Sequence, residues 1–114
     1  MKDLVAALRQ FVREREWDRF HSPKNLSMAL SVEVAEVVEL FQWLTEEQSR
    51  HLDERQRARL EEEIGDVMIY LTTLADAFGI DPLAAAAKKV ELNRGKYPAD
   101  LVRAKALKYT EYEG

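Results

Sequence analysis

The sequence predicts an all-α protein, and three observations support that prediction. Apolar residues recur every three or four positions along most of the chain, no segment longer than a few residues alternates apolar and polar side chains, and glycine or proline marks several ends of the periodic stretches. A length of 114 residues fits one compact domain. We therefore expect a single domain over residues 1–114, built as a four-helix bundle-like subunit.

The first two predicted helices flank a loop with unusually large side chains. Helical spacing of apolar residues predicts the first helix over about residues 2–15 and the second over residues 26–44. Residues 16–25 break the pattern, because the proline that closes this segment disfavours helix at the residue before it. Either Asn25 or Ser27 can cap the second helix.

A third helix is predicted after a polar segment at residues 45–53. Asp53 can cap it, and Gly79 is a plausible stop because glycine accepts a left-handed backbone. A helix over about residues 54–78 would be roughly 37 Å long, which is more than a globule of this size needs. We therefore expect part of this helix to pack on another subunit.

A fourth helix is predicted to begin at Asp81-Pro82, since proline is tolerated at the first helical position. It continues to about Arg94, and Gly95 and Pro98 are expected to end it. The tail from about residue 99 is mixed in character and has no assigned structure.

The composition excludes several classes of function. The absence of cysteine removes disulfides, thiolate zinc sites and cysteine nucleophiles, so any metal must be held by oxygen or imidazole. With 17 basic and 21 acidic residues, the net charge of −4 does not favour binding of a nucleic acid polymer. No apolar stretch has the length of a signal peptide or a membrane span, which predicts a soluble cytoplasmic protein.

Two acidic pairs occupy unexpected positions on the predicted helices. Glu33 and Glu36 share one helical face, as do Glu63 and Asp66, because residues three apart are neighbours on a helix. Such a pair is usually part of a solvated face. Glu33, however, follows Leu30 by three residues and so falls on the apolar stripe, and Glu63 falls on the stripe of the third helix in the same way.

Carboxylates on apolar stripes need positive charge nearby, because burying them unpaired is costly and four together repel one another. Buried Arg or Lys partners and a hard divalent cation are the two candidates. The basic residues closest to these helices, Arg55, Arg57 and Arg59, precede the pair on the third helix and fit surface salt bridges better. An oxygen-only shell indicates Mg²⁺, or Mn²⁺ as a substitute, and Mg²⁺ commonly completes its shell with substrate phosphates.

Three blocks in this order resemble a known family, the MazG-type all-α nucleoside triphosphate pyrophosphohydrolases, and within it the small dCTP pyrophosphatase branch. The resemblance covers about residues 14–98. The blocks run from Glu33 to Trp43 (EVAEVVELFQW), from Glu63 to Leu71 (EIGDVMIYL) and from Lys89 to Pro98 (KVELNRGKYP). Either acidic pair alone would be a weak signal, whereas all three blocks together are specific.

The resemblance implies an activity as well as a fold. It implies that Glu33, Glu36, Glu63 and Asp66 bind Mg²⁺, and that water attacks the α-phosphorus of dCTP or a related pyrimidine nucleotide, releasing the monophosphate and pyrophosphate. A site carboxylate would accept the proton of the attacking water, and either Glu36 or Glu33 fits that role. It also implies assembly as a homodimer or a dimer of dimers.

The resemblance further implies two groups of substrate contacts. Lys89, Asn93 and Lys96 match positions that contact the triphosphate and sugar, although they also fit a basic surface at a helix C-terminus. An aromatic loop would enclose the base, and Tyr97 either packs or touches substrate. The residues assigned to the base are Trp17, Phe20, His21, Asn25 and Trp43, of which His21 equally fits a structural role in the loop.

Two other interpretations of the function stay open. The same enzyme class could act on dUTP, a modified base or several triphosphates. A non-catalytic assembly protein could instead use the acidic stripes to pair with arginines of a partner.

Overall fold

We describe residues 1–97 and 99 of the chain from a computed structural model, and these residues form helices without any strand. The all-α prediction is therefore confirmed for the described residues. The predicted tail from about residue 99 falls almost wholly outside them. The elements in chain order are α1 (Lys2–Glu14), a 3₁₀ turn (Asp18–Phe20), α2 (Pro23–Phe41), α3 (Glu46–Ser49), α4 (Glu54–Asp76) and α5 (Pro82–Lys96).

The second predicted helix is shifted relative to the observed α2, and the predicted caps are wrong. Ser22 is the N-cap, its Oγ accepts a hydrogen bond from the backbone N–H of Asn25 at 3.1 Å, and Pro23 occupies the first helical position. The proline that we read as closing the loop instead opens the helix, because its missing N–H would have no partner in the first turn anyway. The helix ends at Phe41, so Trp43 lies in the following turn.

The polar segment at residues 45–53 contains a short helix that the sequence pattern did not predict. Thr45 caps α3 in a reciprocal arrangement with Gln48, in which each side chain bonds the other residue's backbone N–H. The helix is only four residues long, too short for apolar periodicity to reveal it.

The third predicted helix is confirmed as α4, and so is its cap. Asp53 and Gln56 form the same reciprocal capping arrangement at its start. The helix ends at Asp76, two residues earlier than predicted, and Gly79 adopts a φ of +65°, the left-handed conformation expected of a glycine after a helix. With 23 residues, α4 is about 35 Å long.

The fourth predicted helix is confirmed as α5, with one correction at its end. Asp81 caps it by accepting hydrogen bonds from the backbone N–H groups of Leu83 and Ala84. Gly95 does not end the helix but lies inside it. A glycine within a helix costs about 1 kcal/mol relative to alanine and does not by itself stop the helix.

The chain divides into two units, Met1–Ile80 and a second unit that begins at Asp81 and contains α5. In the first unit, α2 and α4 pack along each other and α1 packs on α4. Leu26 and Thr72 are almost wholly buried there, at 2% and 1% exposed. The prediction of a single domain over 1–114 stays a prediction. No described helix combines the length and apolar character that crossing a membrane requires.

Many large apolar side chains of the described residues remain exposed. Val12 and Leu26 are the only hydrophobic residues among those described that are buried, at 8% and 2% exposed. Outward-facing apolar residues are spread over α2 and α4, namely Met28, Val32, Val38, Ile64, Ile69 and Leu71. Large apolar side chains left exposed in this number are typical of a protein that another chain partly covers.

Candidate metal site and adjoining cavity

Four carboxylates from two helices meet on the packed faces of α2 and α4. Each of Glu33, Glu36, Glu63 and Asp66 offers an oxygen that lies within 4.8 Å of the oxygens of the other three. Glu33, Glu36 and Glu63 are half-buried. The two predicted pairs thus meet as one cluster, because each pair sits on the stripe by which its helix packs against the other.

Two oxygens of the cluster are buried without a partner. Oε2 of Glu33 and Oε2 of Glu63 accept no hydrogen bond from a described residue. Buried hydrogen-bond acceptors normally have a partner in the protein, because burial removes the hydrogen bonds that they would form with water. These two oxygens are therefore available to a ligand that enters the cluster.

The cluster raises the pKa of two of its members. Side-chain hydrogen bonding with Glu36 raises the pKa of Glu63 to about 7, and burial and the charges of the other carboxylates act in the same direction. Burial raises the pKa of Glu33, with a smaller contribution from Glu36 and Asp66. Four like charges cannot all ionise at close range without a compensating cation.

The donor set fits a hard divalent cation. Carboxylate oxygens are the ligands that Mg²⁺ and Mn²⁺ prefer, and the two unpartnered buried oxygens of Glu33 and Glu63 supply acceptors for one. Among the ion pairs of the described residues, none involves a member of the cluster. The alternative of buried Arg or Lys partners is therefore not observed in the described part of the chain.

A cavity of about 210 Å³ adjoins the cluster. Glu33 and Asp66 form its acidic border, and its other walls come from α1, the loop before α2, and α4. The remaining lining residues are Leu8, Phe11, Val12, Trp17, His21, Ile69, Tyr70 and Thr73. The cavity thus combines apolar and aromatic walls with two carboxylates.

Trp17 and His21, two of the residues that the resemblance assigns to the base, line this cavity. Their contact with a base stays a prediction. The ring of Trp17 meets Phe11 edge to face at a centroid distance of 5.6 Å and lies 6.3 Å from the ring of His21. Nδ1 of His21 is buried and has no hydrogen-bond partner among the described residues. A buried imidazole nitrogen without a partner in the protein keeps an unused hydrogen-bonding capacity.

Three other predicted base contacts lie elsewhere in the first unit. Asn25 donates its side-chain N–H to the carbonyl oxygen of Phe20 at 3.3 Å, which holds the loop together. Phe20 is 57% exposed, and the guanidinium of Arg19 lies over its ring. Trp43 is 85% exposed, and α2 continues about 12 Å past Glu33 before the turn that carries Trp43.

The three predicted phosphate and sugar contacts, and Tyr97, lie on the second unit. Lys89 and Asn93 are one turn apart on α5, Lys96 is its last residue, and Tyr97 is its C-cap, with its backbone N–H bonded to the carbonyl oxygen of Asn93 at 2.8 Å. The spacing places the side chains of Lys89, Asn93 and Lys96 on one face of α5. Their role toward the carboxylate cluster stays a prediction.

The cavity contains residues that the sequence analysis did not assign to the site. Leu8 and Phe11 belong to the apolar spacing that predicts α1, and this spacing indicates a helix but not a binding site. Tyr70 and Thr73 follow Asp66 by one and two turns of α4. The spacing from Asp66 could have indicated Tyr70, because a residue four positions after a metal-site carboxylate lies on the same face of the helix.

Comparison with known proteins identifies the family. Residues 28–111 match the MazG-like family. The chain is 42% identical over 113 residues to dCTP pyrophosphatase 1 of Homo sapiens and 41% identical to that of Bos taurus, in each case over 97% of this chain. The chain spans 66% and 67% of the length of those two relatives, about two thirds.

A solved structure shares the fold. The crystal structure of a pyrophosphatase from Archaeoglobus fulgidus superimposes with a TM-score of 0.80 at 43% identity, covering 86% of this chain and 92% of that one. The family match covers most of the chain, and it includes both acidic pairs. The chain belongs to the MazG-like family.

Proposed function

We propose that this chain is a nucleoside triphosphate pyrophosphohydrolase that uses Mg²⁺ and acts on dCTP or a related pyrimidine nucleotide. The observation that supports this most directly is the cluster of four carboxylates from α2 and α4 at the border of an aromatic cavity. The relatives named dCTP pyrophosphatase 1 and the archaeal pyrophosphatase support the reaction and the substrate class.

The carboxylates of Glu33, Glu36, Glu63 and Asp66 would hold the metal, and Mn²⁺ could substitute for Mg²⁺. When bound, the ion offsets the charge of the triphosphate and polarises its phosphate oxygens. The unpartnered oxygens of Glu33 and Glu63 support this assignment, because a cation gives them the partner that the protein does not.

Hydrolysis requires a group that removes a proton from the attacking water. Water attacks the α-phosphorus, the bond from that phosphorus to the bridging oxygen breaks, and pyrophosphate leaves. A cluster carboxylate with an oxygen not engaged by metal accepts the proton, and Glu36 and Glu33 are the two candidates.

The base would lie in the cavity beside Trp17. Stacking on an aromatic ring contributes about 1–3 kcal/mol per base and does not distinguish one base from another. A hydrogen bond could distinguish the bases, and the unpartnered Nδ1 of His21 is the described atom best suited to form one. At about 210 Å³, the cavity is smaller than the roughly 300–1,000 Å³ of typical ligand pockets, so further groups are needed to enclose a whole nucleotide.

We assign some of those further groups from the sequence. Lys89, Asn93 and Lys96 on one face of α5 would bind the triphosphate and sugar, with Tyr97 beside them. Lysine side chains suit a phosphate chain because they supply local positive charge in a protein whose net charge is −4.

A second copy of the chain would supply Trp43 and cover the exposed faces of α2 and α4. Trp43 does not line the cavity of its own chain, and its ring is almost fully exposed. The small number of buried hydrophobic residues among those described supports a homodimer or a dimer of dimers, because a partner would remove the remaining apolar surface from water. We propose the cytoplasm as the location of the protein.

Incubation with each common deoxynucleoside and ribonucleoside triphosphate tests the proposal. Chromatography should detect the monophosphate and pyrophosphate, fastest with dCTP or another pyrimidine, and EDTA should abolish both products. Release of inorganic phosphate and a diphosphate instead would contradict the assigned bond cleavage. Absence of any product, together with binding to an Arg-rich peptide, would favour the non-catalytic assembly protein.

A further inference from the structure

A single ion pair joins α1 to α4. The guanidinium of Arg9 donates from Nε to Oδ2 of Asp76 at 2.9 Å and from Nη2 to Oδ1 at 2.6 Å. Within residues 1–80 it is the only ion pair between two helices. Two parallel bonds fix both the distance and the orientation of the groups they join.

The packing beneath this pair is incomplete. A small cavity of about 80 Å³ lies between α1 and α4, lined in part by Arg9, Asp76 and Thr72. Thr72 is 1% exposed, yet its hydroxyl oxygen has no hydrogen-bond partner among the described residues. Side chains do not fill the space between α1 and α4, so apolar packing alone does not fix the separation of these two helices. The Arg9–Asp76 ion pair contributes to fixing that separation.

The position of α1 matters because it forms one wall of the larger cavity. Leu8, Phe11 and Val12 line that cavity on either side of Arg9 in the sequence. Trp17 is tied to the same helix, because its backbone N–H donates to the carbonyl oxygen of Val12 at 3.1 Å and its ring packs on Phe11. A shift of α1 would therefore move Trp17 with it.

The carboxylate cluster has a different support. All four of its members lie on α2 and α4, which pack along each other, and none lies on α1. In the first unit, the carboxylates therefore lie on α2 and α4, whereas part of the aromatic lining of the larger cavity lies on α1 and the loop after it. Arg9 and Asp76 join α1 to α4 beside the small cavity between these two helices.

We infer that the Arg9–Asp76 pair is a positioning device: it fixes the α1 wall, including Trp17, relative to the carboxylate cluster, and so sets how the base of the substrate is held. The second half of this inference rests on the proposed function. The hydrogen bonds from Arg9 lower the pKa of Asp76 below its ordinary value, so the pair is ionised at neutral pH. Arg9 and Asp76 touch no reacting group, so their effect on catalysis is exerted through Trp17.

Two kinds of measurement test the inference. The first needs no substrate: in a Trp43→Phe background, Trp17 is the sole tryptophan, and acrylamide quenching reports its accessibility. Arg9→Ala and the nearly isosteric Asp76→Asn should each increase quenching. The charge exchange Arg9→Asp with Asp76→Arg should return quenching to the level of the Trp43→Phe parent. Arg13→Ala is the matched control, because Arg13 lies one turn along α1 and forms no ion pair with a described residue.

The second measurement is kinetic and uses the otherwise wild-type chain. Arg9→Ala should raise KM for the preferred nucleotide about five-fold, in line with the loss of one partly exposed pair, and leave kcat within about two-fold. The rise in melting temperature on adding Mg²⁺ should match that of the wild type, because the carboxylates are untouched. The charge exchange should bring KM back toward the wild-type value.

The outcomes separate this inference from the proposed function. Unchanged Trp17 quenching in both Arg9→Ala and Asp76→Asn would overturn the inference, whatever the protein hydrolyses. Increased quenching with unchanged KM would overturn the role in substrate binding. Failure of the wild type to hydrolyse any nucleotide, with quenching still increased in the variants, would overturn the proposed function and leave the structural role of the pair in place.

Discussion

Glu33 on α2 and Glu63 on α4 each bury an oxygen that accepts no hydrogen bond from a described residue, and the two side chains bring ligand oxygens within 4.8 Å of each other. Two glutamates in this relationship destabilise a protein that has nothing to place between them. A divalent cation supplies the missing partner. The stability of the chain should therefore depend both on metal and on pH.

Mg²⁺ should stabilise the wild-type protein, and removal of one ligand should abolish the effect. Glu63→Gln should melt higher than the wild type in EDTA, because it removes a repelled charge, and should gain little from added Mg²⁺. Thermal melts with and without the metal check this. Glu62→Gln is the matched control, since Glu62 is an exposed neighbour on the same helix. An equal Mg²⁺ response in both variants would contradict the metal assignment.

Without metal, the protein should lose stability as the pH rises from about 4.5 to about 7. The pKa of Glu63 is raised to about 7 in the folded state, so between its unfolded and folded pKa values the folded chain binds more protons than the unfolded chain. Melting temperatures in EDTA across this range check the trend. Saturating Mg²⁺ should remove the decline, because the ion favours the ionised form. A flat profile in EDTA would argue against the raised pKa.

Trp17→Ala should weaken substrate binding more than it slows the chemical step. Loss of a stacking partner worth about 1–3 kcal/mol predicts a rise in KM of roughly five-fold or more. Phe20→Ala is the matched control, because Phe20 belongs to the same loop but does not line the cavity. Steady-state kinetics with the preferred nucleotide check the difference. A larger effect of Phe20→Ala than of Trp17→Ala would place the base elsewhere.

Ser22→Ala should lower the free energy of unfolding by about 1 kcal/mol, because it removes the oxygen that caps α2. Ser27→Ala should change it little. The hydroxyl of Ser27 donates to the carbonyl oxygen of Lys24 within the first turns of the helix and caps nothing. Denaturant titration measures both. Equal losses in the two variants would contradict the observed cap.

The helices and the acidic cluster were accessible from the sequence for a clear reason. Apolar periodicity reports which face of a helix is covered, and a carboxylate on that face is conspicuous because burial is costly. Asp53, Gly79 and Asp81 marked helix boundaries correctly because each has a local effect on the backbone.

Other features depend on contacts that a local pattern does not contain. Pro23 is compatible with both a loop end and a helix start, and the hydrogen bond to Ser22 distinguishes them. The cavity wall on α1 and the Arg9–Asp76 pair join positions distant in sequence, so spacing along one helix could not reveal them. Trp17 and Trp43 are the same type of residue, but within one chain only Trp17 lines the cavity.

The most direct test of the account is single-turnover hydrolysis of dCTP with Mg²⁺ by Glu63→Gln compared with Glu62→Gln. If the carboxylate cluster is the hydrolytic centre, Glu63→Gln should release monophosphate at least about a hundred-fold more slowly than the wild type, the order of loss expected for a lost site charge, while Glu62→Gln should match the wild type. Hydrolysis by Glu63→Gln at the wild-type rate would show that the reaction takes place elsewhere.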